Sequence, residues 1–162
     1  MAEHGPVRHF DDRAGYRAAL DELLADCPGT LDIFDTDLVD TGLADAQRVA
    51  VLQQVLANEA KAAIRIVLHD PAMLQARMPR LLALCETHSH GVQVRQSPRN
   101  LRHVSELFML TPPGSALVRF HGDHWRGKIL RRDAPGCAGY ASRFGQLWEL
   151  STCCISTTKL GL

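Results

Sequence analysis

The alternation of apolar and polar positions changes period several times along the chain, and each change marks an element. From residue 11, Tyr16, Leu20, Leu23, Leu24 and Cys27 recur at helical spacing on one face. Asp11 and Asp12 stand where N-terminal caps belong, and Pro28-Gly29 closes the helix. Residues 30–38 alternate as a strand that runs into an acidic turn. A second helix is predicted over 44–59, with Val49, Leu52, Val55 and Leu56 inward. The near-continuous apolar run at 63–68 reads as a buried parallel strand. A helix over 72–88 follows, carrying Leu74, Met78, Leu81, Leu82 and Cys85, and then a short strand at 92–95. This α-β-α-β-α-β order predicts a parallel sheet with right-handed crossovers.

The second half changes character. Residues 106–111 and 116–120 read as a hairpin around the turn Pro112-Pro113-Gly114-Ser115, and 127–131 as one more strand. A last helix over 134–150 is predicted to bury Ala138, Ala141, Phe144, Leu147 and Trp148. The pattern defines one domain over 11–150, a lead-in over 1–10 and a Ser/Thr/Cys-rich tail over 151–162, with no internal repeat.

Composition narrows the class. A chain of 162 residues with 46% hydrophobic and 22% charged side chains builds its own core without staples. Lys+Arg and Asp+Glu balance at 18 each, which argues against a general nucleic-acid coat protein. No apolar run reaches the roughly 18 residues of a membrane span. The opening Met1–Pro6 lacks a signal-peptide layout, so a cytoplasmic protein without membrane association is expected. The five cysteines contain no C-x-x-C spacing; Cys85 reads as core, and Cys153-Cys154 as two reduced thiols in preference to a redox pair.

Charge is segregated. Residues 11–45 hold ten acids against two bases, Arg13 and Arg17; residues 95–132 hold eight bases against two acids, Glu106 and Asp123. Two blocks that attract each other within the fold or across a dimer, and an anion site, both fit this distribution. In an open α/β sheet ligands bind beyond the carboxyl ends of the parallel strands. That rule selects Asp35-Thr36-Asp37, His69-Asp70 and the basic loop 96–103, which combine carboxylates, imidazoles and guanidiniums suited to a phosphate. His121, Asp123 and His124 form a second cluster, but their loop spacing lacks the i,i+4 geometry of a helical zinc motif. No nucleophile elbow, P-loop or G-x-G-x-x-G is present, and neither metal nor cofactor is expected.

The segments LDIFDTDL (31–38), IRIVLHD (64–70), PRLL (79–82), RH (102–103), ELFML (106–110), RFH (119–121), FGQLW (144–148) and TTKLGL (157–162) stand in a characteristic order. That order resembles the phospholipase D-like superfamily, and within it a short, degenerate, uncharacterised bacterial family. The resemblance implies a phospholipase D-like α/β sandwich: a mixed, mostly parallel sheet flanked by helices on both faces. Active members carry H-x-K-x(4)-D, whose histidine attacks phosphorus, whose lysine neutralises phosphate and whose acid orients the imidazole. Here the matching stretch begins at His103, with Ser105 in the lysine position and Leu110 in the acid position. Neither can do the replaced residue's work.

The resemblance therefore implies a non-catalytic domain that binds an anionic, phosphate-containing ligand or a protein partner. Expected contacts are Arg99, Arg102, His103, Arg119, His121 and Arg126, with Asp35 orienting a histidine. The alternative is a phosphodiesterase or nuclease with a remodelled site, His103 its nucleophile and His121 or His124 its acid. The implied partners are a second copy of the chain, an anionic small molecule or nucleic acid, and an N-acetyltransferase domain.

Overall fold

The computed structural model describes residues 7–58, 61–112 and 114–155. Its elements follow in the order β1 (Arg8–Phe10), α1 (Arg13–Ala25), β2 (Thr30–Asp35), α2 (Ala46–Asn58), β3 (Ala63–Leu68), α3 (Ala72–Arg77), α4 (Pro79–Thr87) and β4 (Val92–Gln96). After a 3-10 turn at Arg99–Leu101 come β5 (Leu107–Thr111), β6 (Ser115–Arg119), β7 (Gly127–Leu130), α5 (Ala134–Leu150) and β8 (Thr152–Cys153). All eight strands form one sheet in the order β1-β7-β6-β5-β2-β3-β4-β8. Residues 8–10 of the expected lead-in and 152–153 of the expected tail supply its two edge strands. The TTKLGL segment lies outside the described residues.

Strand direction corrects the sequence expectation of a mostly parallel sheet. Only β2–β3 and β3–β4 run parallel, and the other five pairings are antiparallel. The cause is connection length. A parallel crossover needs a dozen or more residues, usually a helix, and α2 and α3–α4 provide one each. From β5 onward the links are hairpin-sized, so β5, β6 and β7 fold back on one another.

Period-2 alternation divides the core into two layers. Leu31, Ile33, Ile64, Ile66, Leu68, Val92, Val94, Met109 and Leu117 pack beneath α1, α2, α3 and α4. Phe34, Val67, Phe108, Leu110, Ala116, Val118 and Leu130 pack beneath α5. The single helix expected over 72–88 is broken at Met78 (φ −124°, ψ 65°), because Pro79 excludes the helical conformation from the residue before it. Ala138 and Ala141, expected inward, are exposed. The buried stripe of α5 is Cys137, Phe144, Leu147 and Trp148, whose larger side chains turn that face to the sheet.

One ion pair is built into the α5 face. Asp32 and Arg65 are register partners on β2 and β3, and the guanidinium grips the carboxylate with Nε–Oδ1 2.8 Å and Nη2–Oδ2 2.9 Å. Arg65 lies 5.1 Å from the Phe144 ring centroid and 5.5 Å from that of Trp148. Arg95 covers Trp148 at 4.1 Å and donates to its carbonyl at 2.7 Å. Asp32→Ala leaves the Arg65 guanidinium, whose side chain is 36% exposed, without its carboxylate. The expected loss is about 1–2 kcal/mol of unfolding free energy in urea titration. A loss indistinguishable from a surface substitution contradicts this role.

Candidate functional site

A cleft of about 320 Å³ opens where β2 and β3 end, beside the start of β5 and the end of β6. Its floor is Asp35, the last residue of β2, only 2% exposed. Asp35 Oδ2 accepts the backbone N–H of Leu38 at 2.8 Å and of Asp37 at 3.3 Å. These bonds fold the acidic turn and hold Leu38 in the left-handed region at φ 69°. Thr41 continues the turn, donating from Oγ1 to the Leu38 carbonyl at 2.6 Å and accepting from the Leu43 N–H at 3.0 Å. Burial pushes the Asp35 carboxyl up to about 6, against the Leu38 N–H, which favours the anion; the nearby Asp37 charge adds to the rise.

Arg119, the last residue of β6, is buried. Its Nε donates to the His124 carbonyl at 2.6 Å, Nη1 to Asp40 Oδ2 at 3.0 Å and Nη2 to the Gly122 carbonyl at 2.9 Å. The Trp125 ring caps its guanidinium at 4.2 Å and packs against Tyr16 at 5.6 Å. One side chain thus fastens the loop after β6 to the turn after β2.

His69 follows β3 and is also buried. Its Nε2 lies 2.8 Å from the Val104 carbonyl, an acceptor only, so Nε2 carries the proton. Nδ1, 2.6 Å from Ser97 Oγ, then accepts from the hydroxyl. Burial lowers the His69 pKa, and the Arg102 and His103 charges lower it further, in keeping with a neutral ring. Both ring nitrogens are occupied.

The sequence-selected residues separate into two groups. Asp35, Arg102, Arg119 and His121 line the cleft. Arg99, His103 and Arg126 are exposed outside its lining, Arg99 in the 3-10 turn and His103 just after it. His121 and His124 lie with ring centroids 5.5 Å apart, and each Nδ1 accepts a backbone N–H, from Asp123 at 3.0 Å and Arg126 at 3.3 Å. Sequence reasoning missed Asp40 as the partner of Arg119 and Trp125 as its cover; no local spacing links Asp40 to a side chain 79 positions away. Four carboxylates, Asp35, Asp37, Asp40 and Asp123, face Arg102 and Arg119 around the cleft. Among the described residues no three His, Cys, Asp or Glu side chains are grouped to hold a metal ion, and no helix is long and apolar enough to cross a membrane.

The fold is that of phospholipase D-like structures. Nuc from Salmonella typhimurium, a phospholipase D family member, superposes with a TM-score of 0.63 at 10% identity, over 93% of this chain and 99% of that one. NucT from Helicobacter pylori superposes at 0.57 with 9% identity, over 92% and 99%. TrmBL2, an archaeal chromatin protein with a novel mode of DNA binding, superposes at 0.69 with 9% identity over 95% of this chain, which spans 56% of that protein's length. No curated protein matches the sequence. The chain belongs to the family described as a domain of unknown function, DUF7931, whose sequence profile matches residues 12–160.

The Asp35 carboxyl binds its proton more tightly in the fold, at about 6, than at its ordinary 3.8. Its contribution to stability therefore grows as pH falls from about 6 toward 3.8 and is lost above that window. Asp35→Asn keeps an acceptor for the turn and removes the titration. The variant is expected to exceed wild type by up to about 3 kcal/mol near neutral pH, the gap closing as pH falls. The matched comparison cancels His69, whose lowered pKa acts in the opposite sense. A gap independent of pH contradicts the buried, proton-binding Asp35.

Proposed function

We propose that this chain is a non-catalytic phospholipase D-like domain that binds a phosphate-containing anion at the rim of the cleft. The observation that carries this reading is a division of labour among the basic groups. Arg119 and His69, deep in the cleft, direct their nitrogens at the protein itself. Arg99, Arg102, His103 and Arg126 are exposed, and among the described residues their side chains make no hydrogen bond or ion pair. Unpaired guanidiniums are the groups that bind phosphate oxygens best.

The acidic floor supports the same division. A phosphate driven down to Asp35 meets carboxylates, whereas one nearer the mouth meets Arg102 and His121, which share the lining; Arg126 is exposed outside it, on the loop after β6. In this reading Arg102 and Arg126 supply charge, His121 and His103 supply donors, and Arg119 positions the loop that carries His121. Nucleophilic attack on phosphorus needs an imidazole nitrogen with a free lone pair. His69 has none free. No histidine in the chain has lysine two positions later, so the charge that would stabilise the transition state lacks its usual source. The DNA binding of TrmBL2, on the same fold, makes a nucleic-acid backbone a reasonable source of the phosphate.

The test is fluorescence anisotropy with a fluorescein-labelled single-stranded DNA oligomer, alongside turnover of bis-p-nitrophenyl phosphate. Wild type is expected to bind with an affinity that falls as salt rises, and Arg102→Ala with Arg126→Ala to weaken it about tenfold or more. No turnover is expected. Binding indifferent to both substitutions overturns the rim assignment. Turnover that His103→Ala abolishes establishes the phosphodiesterase alternative instead.

A further inference from the structure

A second cavity, of about 400 Å³, lies at the opposite end of the same strands. The cleft sits where β2 ends and β5 begins; this cavity sits ahead of β2 and where β5 ends and β6 begins. Its walls come from the end of α1 (Asp26), the link to β2 (Pro28), the β5–β6 turn (Thr111, Pro112, Gly114, Ser115), and Arg132 and Ala134 at the start of α5. A smaller hollow shares five of these residues and reaches inward to Leu110 and Cys137. The volume falls in the range of small-molecule pockets, and the walls are mainly apolar.

Gly114 and Arg132 are each held in place. The Gly114 carbonyl accepts the Asp133 N–H at 2.8 Å, and a Cβ on Gly114 would lie 2.5 Å from the Ala134 nitrogen. Only glycine lets the turn approach α5 this closely. Arg132 is held at φ 54°, a left-handed conformation that a long L side chain rarely adopts, with its N–H on Ser115 Oγ at 3.3 Å. Backbone strain of this kind persists where the surrounding structure imposes it, and it recurs at ligand sites.

The polar groups left over point to a ligand. Asp26 is neutralised by Arg131, so the uncompensated charge of the lining is the Arg132 guanidinium, which makes no hydrogen bond or ion pair among the described residues. Thr111 is 3% exposed, and its hydroxyl has no hydrogen-bond partner there either. Ser115 Oγ accepts from Arg132 and keeps its own proton to donate. A free planar cation, hydroxyl donors and apolar walls together match a carboxylate with a small apolar body.

We infer that this cavity is a binding site for a small monocarboxylate, held by Arg132 with Thr111 and Ser115 as hydroxyl donors. It is independent of the phosphate rim, and either assignment can fail without the other. The experiment is a ¹H–¹⁵N titration of the full chain with benzoate, and with benzamide as the uncharged match. Saturable shifts at the amides of Thr111, Ser115, Arg132 and Ala134 are expected with benzoate and not with benzamide. Arg132→Gly removes the guanidinium and relieves the backbone, so the variant is expected to fold and to bind benzoate about tenfold or more weakly. Thr111→Val, a near-isosteric change, is expected to weaken binding while leaving the fold intact, and Arg102→Ala to leave it unchanged. Equal responses to benzoate and benzamide, unchanged affinity in Arg132→Gly, or shifts centred on Arg102 and His121 overturn the assignment.

Discussion

The buried guanidinium of Arg119 is the contact on which the functional end of this molecule depends. It closes the loop after β6 by binding two of its carbonyls, ties that loop to Asp40 in the turn after β2, and lies against Trp125. Desolvating an arginine is expensive unless its donors are matched and its charge is compensated. Here each of its three nitrogens finds an oxygen, one from a carboxylate, and an aromatic face covers the plane. The cost of burial is thereby turned into a fixed geometry for His121, Asp123 and His124.

His69 and Asp35 extend the same economy. Each is a polar group at the end of a parallel strand, where the fold brings chemistry together, and each is bonded to backbone or to a neighbouring hydroxyl. His69 joins Val104 to Ser97, and Asp35 folds the turn that leads to Asp40. The inner cleft is therefore a self-bonded polar network with a carboxylate floor. Uncompensated positive charge lies further out, on the exposed 3-10 turn and on the loop after β6. A ligand meeting this surface encounters these cations and the exposed Asp123 before it reaches the buried Asp35.

Most of the elements were legible in the sequence because their signals are local. The 3.6 period of α1, its Asp12 cap and the apolar run of β3 need no knowledge of the rest of the chain. The hairpin of β5 with β6 was legible, but the direction of β5 against β2 was not, since it depends on where β5 re-enters the sheet, and β5 lies beside β2 rather than beside β4. The segregation of charge was visible, and part of it proved to be pairing within the fold: Arg119 with Asp40 and Arg131 with Asp26. The rule about strand ends pointed to Asp35 and His69, and both line the cleft. What His69 does there was hidden, because it rests on a hydroxyl and a carbonyl far away in sequence, whereas Asp35 bonds backbone N–H groups two and three positions on.

The most direct measurement is the unfolding free energy of Arg119→Lys, read beside its affinity for labelled single-stranded DNA. Lysine keeps the charge but cannot reach Asp40 and the Gly122 and His124 carbonyls from one planar fork. If Arg119 serves the fold, stability falls by about 2–3 kcal/mol, and DNA binding changes less than in the Arg102 and Arg126 substitutions. Unchanged stability together with lost DNA binding would instead make Arg119 a ligand contact and contradict the division between a self-bonded cleft and a basic rim.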